Sequence, residues 1–427
     1  MFTRRRAGGG HFNSSIHMSG DPRGAFEARS EYSAEAVTSP PAKPLARWDD
    51  LAIVLDGGGA RAAYQVGLLR GLVRHHPDLR LPMITGVSAG AINAAFLAAH
   101  PGPLSRTIDD LGQLWASMTV DQVFRVDRRS LLGNVWHWGL GLLSGGRFVG
   151  PPLRGLVDTS PLCRTLEAAF GSGRSQEILG IAANLAAGHL AGLAIITSSY
   201  TTGRSIAWVQ GRSAVDWERP FRLSRQRRLT VDHVMASAAL PLFFPAVSLE
   251  GGWYGDGGIR LVTPLSPAVH LGANRILAFS TRYGRRMAEA ERPQVTGYPP
   301  PAQIAGQLLN AIFLDDHDRD AQNLARLNLL IADLPEERRH GLRVIDLVCI
   351  RPSQDIGRLA AEYEPQLPGP LRYMLGGIGT KKTNSPDLLS LLMFQPDYLK
   401  RLMEIGEADF EARASDVAAL LERKEAP

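Results

Sequence analysis

One pentapeptide limits the fold of this 427-residue chain more than any other. Gly86-Val87-Ser88-Ala89-Gly90 follows the apolar stretch ending Ile84-Thr85 and precedes a run rich in alanine. A serine centred in Gly-x-Ser-x-Gly between a strand and a helix is the layout of a nucleophile elbow. Its sharp turn exposes the hydroxyl, and the flanking glycines remove Cβ atoms that would clash. Short motifs recur by chance, so the weight comes from company. A glycine-rich loop, Asp56-Gly57-Gly58-Gly59-Ala60-Arg61, lies upstream, and Gly255-Asp256-Gly257-Gly258 lies far downstream.

Apolar periodicity extends the pattern. Residues 51–55 predict a short strand, 62–74 a helix with Tyr64, Leu68, Leu69, Leu72 and Val73 on its apolar side, 81–85 a second strand and 89–99 a second helix. That alternation argues for an α/β fold with a parallel sheet and helices on its faces. Further on, 101–180 is mostly helical, and 193–198 and 205–210 are strands joined at Thr201-Thr202-Gly203. Residues 230–239 form a helix stopped by Pro241, 276–281 and 343–350 are strands, 304–330 is a long helix, and 385–423 closes the chain with helices. Three segments follow. Residues 1–47, rich in Gly, Ser, Pro, Ala and Arg, are expected to be a disordered tail. Residues 48–285 are the core with the elbow and Asp256, and 286–427 are helices and a strand completing the same domain.

Bulk properties exclude several classes. A hydrophobic share of 44% with 21% charged residues fits a packed globular chain. Two cysteines, Cys163 and Cys349, give neither a disulfide framework nor a cysteine-rich zinc site. A net charge of +5 favours anionic partners such as phospholipid surfaces, and no nucleic-acid motif is present. The arginines after Met1 are not followed by an apolar run, so no signal peptide is expected. Residues 181–200 lack Asp, Glu, Lys and Arg, yet Asn184, Gly188, His189 and Gly192 mark a helix end, a turn and a buried strand rather than a membrane span. A cytoplasmic or peripheral-membrane protein is the expectation.

Serine is a poor nucleophile at neutral pH and needs a base and donors for the developing oxyanion. The Gly57-Gly58-Gly59 loop ends a strand and opens a helix, so its N–H groups and the helix terminus suit an anion. A dinucleotide site would need a third glycine where Ala62 stands, and a phosphate-binding P-loop would need Gly-Lys-Ser or Gly-Lys-Thr. Asp256 between glycines is either a turn residue or a carboxylate that its small neighbours let approach Ser88. His233 and His270 sit in ordinary helical sequence and read as structural, which leaves a three-residue scheme without its histidine. In Asp315-Asp316-His317-Asp318, consecutive helical residues point different ways, so no metal site is expected.

Together the three blocks resemble, in order and separation, the signatures of patatin-like phospholipases. The stretch from Ala236-Ser237 through Pro241 to Phe244-Pro245 resembles the family's Ala-Ser-x-x-x-Pro-x-x-Phe-Pro segment. Arg351-Pro352-Ser353-Gln354-Asp355-Ile356-Gly357 and the helical end resemble bacterial members. The resemblance runs from about 50 to 410 and implies a three-layer α/β/α patatin-like hydrolase sandwich with a mainly parallel central sheet. It implies Ser88 as nucleophile and Asp256 as general base of a dyad. The loop Gly57, Gly58 and Gly59, with Arg61 next to it, would be the oxyanion hole, and Gly86, Gly90, Gly257 and Gly258 would support the motifs. The implied reaction is hydrolysis of acyl esters of phospholipids or related lipids through an acyl-enzyme, without metal, cofactor or catalytic histidine. Ala62 departs from the family's glycine by one methyl, which a helix start should tolerate. A general esterase or acyltransferase would use the same dyad. A non-catalytic lipid- or anion-binding protein is the reading from another class, and intact Ser88 and Asp256 argue against it.

Residues 131–147 carry Trp136 and Trp138 without an acidic residue, flanked by arginines. They suit a lid or bilayer-docking element as well as they suit core packing. The basic stretch from Arg219 to Arg228 reads as a solvated loop.

Overall fold

A computed structural model describes residues 48–125, 155–212, 216–260, 264–284, 298–299, 303–304, 306–308, 316–377 and 387–422. The predicted tail, the stretch with Trp136 and Trp138, and the Asp315–Asp318 side chains lie outside the described residues.

The strands are β1 (Leu51–Leu55), β2 (Met83–Val87), β3 (Gly192–Ser199), β4 (Ser205–Gly211), β5 (Glu218–Arg219), β6 (Arg222–Gln226), β7 (Val247–Leu249), β8 (Gly252–Asp256), β9 (Arg275–Phe279) and β10 (Asp346–Ile350). The helices are α1 (Ala63–His75), α2 (Ala89–Ala99), α3 (Leu104–Ser117), α4 (Val120–Val123), α5 (Ser160–Phe170), α6 (Leu179–Ala187), α7 (Val231–Ser237) and α8 (Ser266–Leu271). They continue with α9 (Asp316–Ala332), α10 (Ile356–Tyr363), α11 (Gly369–Gly377), α12 (Asp387–Leu392) and α13 (Pro396–Glu422).

The sheet runs β10-β9-β1-β2-β3-β4-β6-β5, with β8 paired to β3 and β7 to β8. From β10 to β3 every neighbour is parallel; β4 then reverses direction. The architecture is a three-layer α/β sandwich with a mixed, mostly parallel sheet. Burial of β1 shows why. Leu51, Ile53 and Leu55 enter one apolar cluster, while Ala52 and Val54 enter a second on the other face. A strand covered on both sides needs apolar residues at every position, which is how this run reads. Helix α8 supplies Ala268 to the second cluster, and α1, α2 and α13 build the first.

Several boundaries moved from expectation. Strand β2 occupies Met83–Val87 rather than 81–85. Pro82 has no N–H for the ladder, and pairing with β3 carries the strand on to Val87. Strand β10 starts at Asp346 rather than 343, because Arg343 caps α8 through the Val269 carbonyl and the Ile345 N–H goes to Asn328. Residues 181–200 resolve into the end of α6, a turn and buried β3, and among the described residues no helix is long and apolar enough to cross a membrane.

The C-terminal helices pack into the same unit as the sheet. Helix α13 lies on α1 so closely that a Cβ at Gly406 would stand 2.2 Å from the Tyr64 carbonyl. Arg74, His75, Glu407 and Glu411 pair along the rim of this seam, where exposed ion pairs contribute little beside the apolar contact. Gly406→Leu should therefore lower stability by about 3 kcal/mol through overpacking, read as a shift in the urea midpoint. An unchanged midpoint would mean that the two helices do not meet.

Candidate active site

Ser88 lies between β2 and α2 with φ 55° and ψ −132°, a conformation a non-glycine residue adopts only when its surroundings impose it. Those surroundings are identifiable. The Ser88 N–H donates to the Ser237 hydroxyl at 3.0 Å, and that hydroxyl donates to the Ile196 carbonyl at 2.6 Å. Helix α2 can begin there only because Gly90 is bare, since a Cβ would meet the Leu55 and Asp56 carbonyls at 2.3 Å. The turn is thus anchored both to β1 and, through Ser237, to β3.

Strand β3 then sets where Asp256 goes. One edge of β3 pairs with β4 along its length. The other edge pairs first with β2, up to Val87 opposite Ile196, and then with β8, where Asp256 stands opposite Thr197. Two strands meeting end to end on consecutive residues of a third bring Ser88 and Asp256 together, although they are far apart in the chain. The Asp256 N–H donates to the Ala239 carbonyl at 3.0 Å, so the end of α7 holds both residues.

Asp256 is fully buried. Its Oδ1 accepts from the Gly258 N–H at 2.9 Å, while Oδ2 completes no hydrogen bond of regular geometry. Burial pushes the carboxyl up to about 7, and the nearby Ser88 hydroxyl and the Gly258 N–H pull the other way. A carboxyl so placed can exchange a proton near neutrality.

The glycine loop lies against the serine. A Cβ at Gly57 would come within 2.8 Å of the Ser88 Cβ. Beneath it runs a buried polar chain. Trp115 Nε1 donates to Asn93 Oδ1 at 2.7 Å, Asn93 Nδ2 to Gln65 Oε1 at 2.9 Å and to the Ala62 carbonyl at 3.1 Å, and Gln65 Nε2 to the Asp56 carbonyl at 2.8 Å. The Thr281 hydroxyl donates to the Gly57 carbonyl. Such a closed network fixes a loop that has no side chains of its own to hold it. The loop leads through the turn Gly59–Ala62 into α1, and α2 starts after Ser88, so two helix N-termini set partial positive charge at one place.

Arg61, next to the loop, turns its side chain toward α12. Its side chain is buried, with Nε donating to the Ser390 hydroxyl at 2.7 Å and Nη2 to Asp387 Oδ1 at 2.8 Å. These donors are engaged by α12. Ala62 is buried without disturbing the helix start. Gly86 lies near the end of β2 against α2, Gly257 packs on the Ile196 carbonyl, and the Gly258 N–H donates to Asp256 Oδ1. His270 stacks on Trp217 at 4.4 Å, and burial with nearby arginines lowers its pKa. His233 caps α7 through Thr230 and sits edge-on to Trp208, and burial lowers its pKa to about 4. Neither imidazole hydrogen-bonds Asp256 among the described contacts.

An apolar cavity reaches Ser88. Its walls include Ile92, Trp115, Met118, Leu162, Phe244 and Leu392, and among the described residues that line it Ser88 brings the only hydroxyl. Ser237, Gln65, Asn93 and Trp115 escaped assignment from sequence. Gln65 and Asn93 carried a signal nonetheless, because each is a lone amide on an apolar helix face, and buried amides are paired.

The patatin-like phospholipase family model matches residues 53–269. A comparison with curated proteins gives no match. Among solved structures, VipD from Legionella pneumophila is 13% identical, with a TM-score of 0.33, over 88% of this chain and 67% of that one. Human GIVD cytosolic phospholipase A2 is 12% identical, with a TM-score of 0.44, over 88% of this chain and 60% of that one. The same human protein with methyl gamma-linolenyl fluorophosphonate and terbium chloride gives 14% and 0.40, and this chain spans 59% of its length.

The buried carboxyl makes a stability prediction. Its pKa rises from the ordinary 3.8 to about 7 on folding, so wild-type stability falls as pH climbs between these values and is level above them. Asp256→Asn does not titrate. Between pH 5 and pH 8 wild type should lose about 2–3 kcal/mol more than the variant in urea unfolding. Equal losses would show that the carboxyl is not shifted.

Proposed function

Because the chain belongs to the patatin-like phospholipase family, we propose that it is a serine acyl hydrolase that cleaves ester bonds of phospholipids or related lipids. The observation that carries this reading is the apolar cavity at Ser88, where the elbow serine brings the only hydroxyl among the described lining residues. An apolar lining beside one hydroxyl suits the acyl end of a lipid ester.

The chemistry follows from the groups in place. Ionised Asp256 takes the Ser88 proton as Oγ attacks the ester carbonyl. The oxyanion gathers negative charge beside the N–H groups of Gly58 and Gly59 and the two helix termini, where preformed dipoles stabilise it. Collapse expels the alcohol, which Asp256 protonates, and leaves Ser88 acylated. Water, deprotonated by the same carboxylate, then frees the fatty acid and restores Ser88. Imidazole is a stronger base than an ordinary carboxylate. Burial narrows that gap by raising Asp256 to about 7. The charge of +5 suits work at an anionic lipid surface.

Ser88→Ala and Asp256→Asn should each reduce turnover by about ten-thousandfold or more, because the two residues act as a unit. A short-chain chromogenic ester and a labelled phospholipid vesicle, each compared with wild type, provide the measurement. Retained activity in Ser88→Ala would remove the serine from the mechanism, and turnover of the soluble ester alone would favour a general esterase. With an ionised carboxylate as base, kcat/KM should rise with pH, bend near 7 and level off above. A flat profile from pH 5 to pH 9 would assign the proton transfer elsewhere.

A further inference from the structure

Arg61 belongs by sequence to the glycine-loop block, yet its side chain serves a contact 326 residues away. Three bonds hold it to α12: Nε to the Ser390 hydroxyl, Nη2 to Asp387 Oδ1, and Nη2 to the Asp387 carbonyl at 3.1 Å. The Ser390 hydroxyl in turn donates to the Asp387 carbonyl at 2.7 Å, so the three residues close on one another. Arg61 is 3% exposed and Asp387 11%, well beyond the reach of bulk screening. A planar guanidinium donating along two directions defines geometry as well as attraction.

Helix α12 does more than receive this arginine. Its Leu391 carbonyl lies so close to the loop that a Cβ at Gly59 would stand 2.2 Å away. Leu391 and Leu392 line the cavity at Ser88. All of α12 lies beyond residues 53–269, the stretch the family model matches. One helix thus backs the loop and walls the cavity at Ser88; Leu388, Leu389 and Leu392 bury it in the core, and Arg61 adds the polar bonds that fix its position against the loop.

We propose that Arg61 is a positioning residue: with Asp387 and Ser390 it latches α12 against the Gly57–Gly59 loop, and the latched helix sets both the loop's geometry and the shape of the acyl chamber. Arg61 acts through α12 and the loop and does not itself donate to the oxyanion. The catalytic part of this inference rests on the reading of Ser88 as nucleophile; the latch does not.

The test compares full-length wild type with Asp387→Asn, Ser390→Ala and Arg61→Lys. Asp387→Asn keeps the shape and leaves Arg61 charged, and Ser390→Ala removes one hydroxyl, so each can be studied folded if Arg61→Lys cannot. Kinetics on p-nitrophenyl esters from four to twelve carbons is paired with hydrogen exchange of amides 57–62. Asp387→Asn should lower kcat by about tenfold to a hundredfold with KM for the four-carbon ester little changed, as expected when a positioned group shifts slightly. Chain-length preference should shift in the same variant, and loop exchange should rise by about tenfold or more. A merely structural pair would lower the melting temperature and leave the ester profile in place.

If Arg61 donates directly to the oxyanion, Arg61→Lys loses kcat while Asp387→Asn keeps it, which overturns the proposal. Folded Asp387→Asn and Ser390→Ala with wild-type kcat, profile and exchange overturn it equally. A wild type that hydrolyses no ester while Asp387→Asn loosens the loop would sink the hydrolase reading and uphold the latch.

Discussion

Everything at the site depends on one edge of β3. Strand β2 uses that edge as far as Ile196, and β8 takes it over at Thr197. Had β8 paired one residue further along, its side chains would have changed faces, because strand periodicity is two. The Ile196 carbonyl sits at the changeover, and it is there that Ser237 anchors the elbow and Gly257 passes without a side chain. Backbone pairing thus does the work that a network of side chains does in many sites. It makes the spacing of Ser88 and Asp256 as rigid as the sheet.

That rigidity supports two unfavourable states at once. Ser88 holds a backbone conformation that costs about 1–3 kcal/mol, and Asp256 is a carboxylate without solvent. Neither persists in a loose loop. The buried chain from Trp115 through Asn93 to Gln65 stiffens the neighbouring turn as well, by tying it to the Ala62, Asp56 and Phe279 carbonyls. The well-packed layers around Ser88 and Asp256 hold both in place.

Local sequence carried the first half of the fold well. The runs 51–55 and 89–99 were legible because both faces of β1 are buried and because α2 is nearly all small and apolar. Ser88 and the glycine loop were legible for a related reason, since close backbone approach excludes side chains and leaves glycine as a mark. Strand β8 was not, because Gly252–Asp256 is short, glycine-rich and half exposed at its start, so no alternation shows. Asp256 therefore read as a turn residue or a carboxylate by its neighbours alone, whereas it ends a strand. The bonds from Arg61 to Asp387 and Ser390 were not legible, because these partners come from the far end of the chain and one sequence holds no sign of that pairing.

The long-range seams have a consequence for how the protein is made. Arg70 on α1 meets Glu407 on α13 across 337 residues, and Arg61 meets Asp387 across 326. Contacts so distant form late, since a long loop must close before they repay its entropy. A chain still emerging from the ribosome therefore carries Ser88 and Asp256 before α12 and α13 exist. During synthesis the cavity at Ser88 therefore lacks the wall that Leu391 and Leu392 supply until those residues have been made.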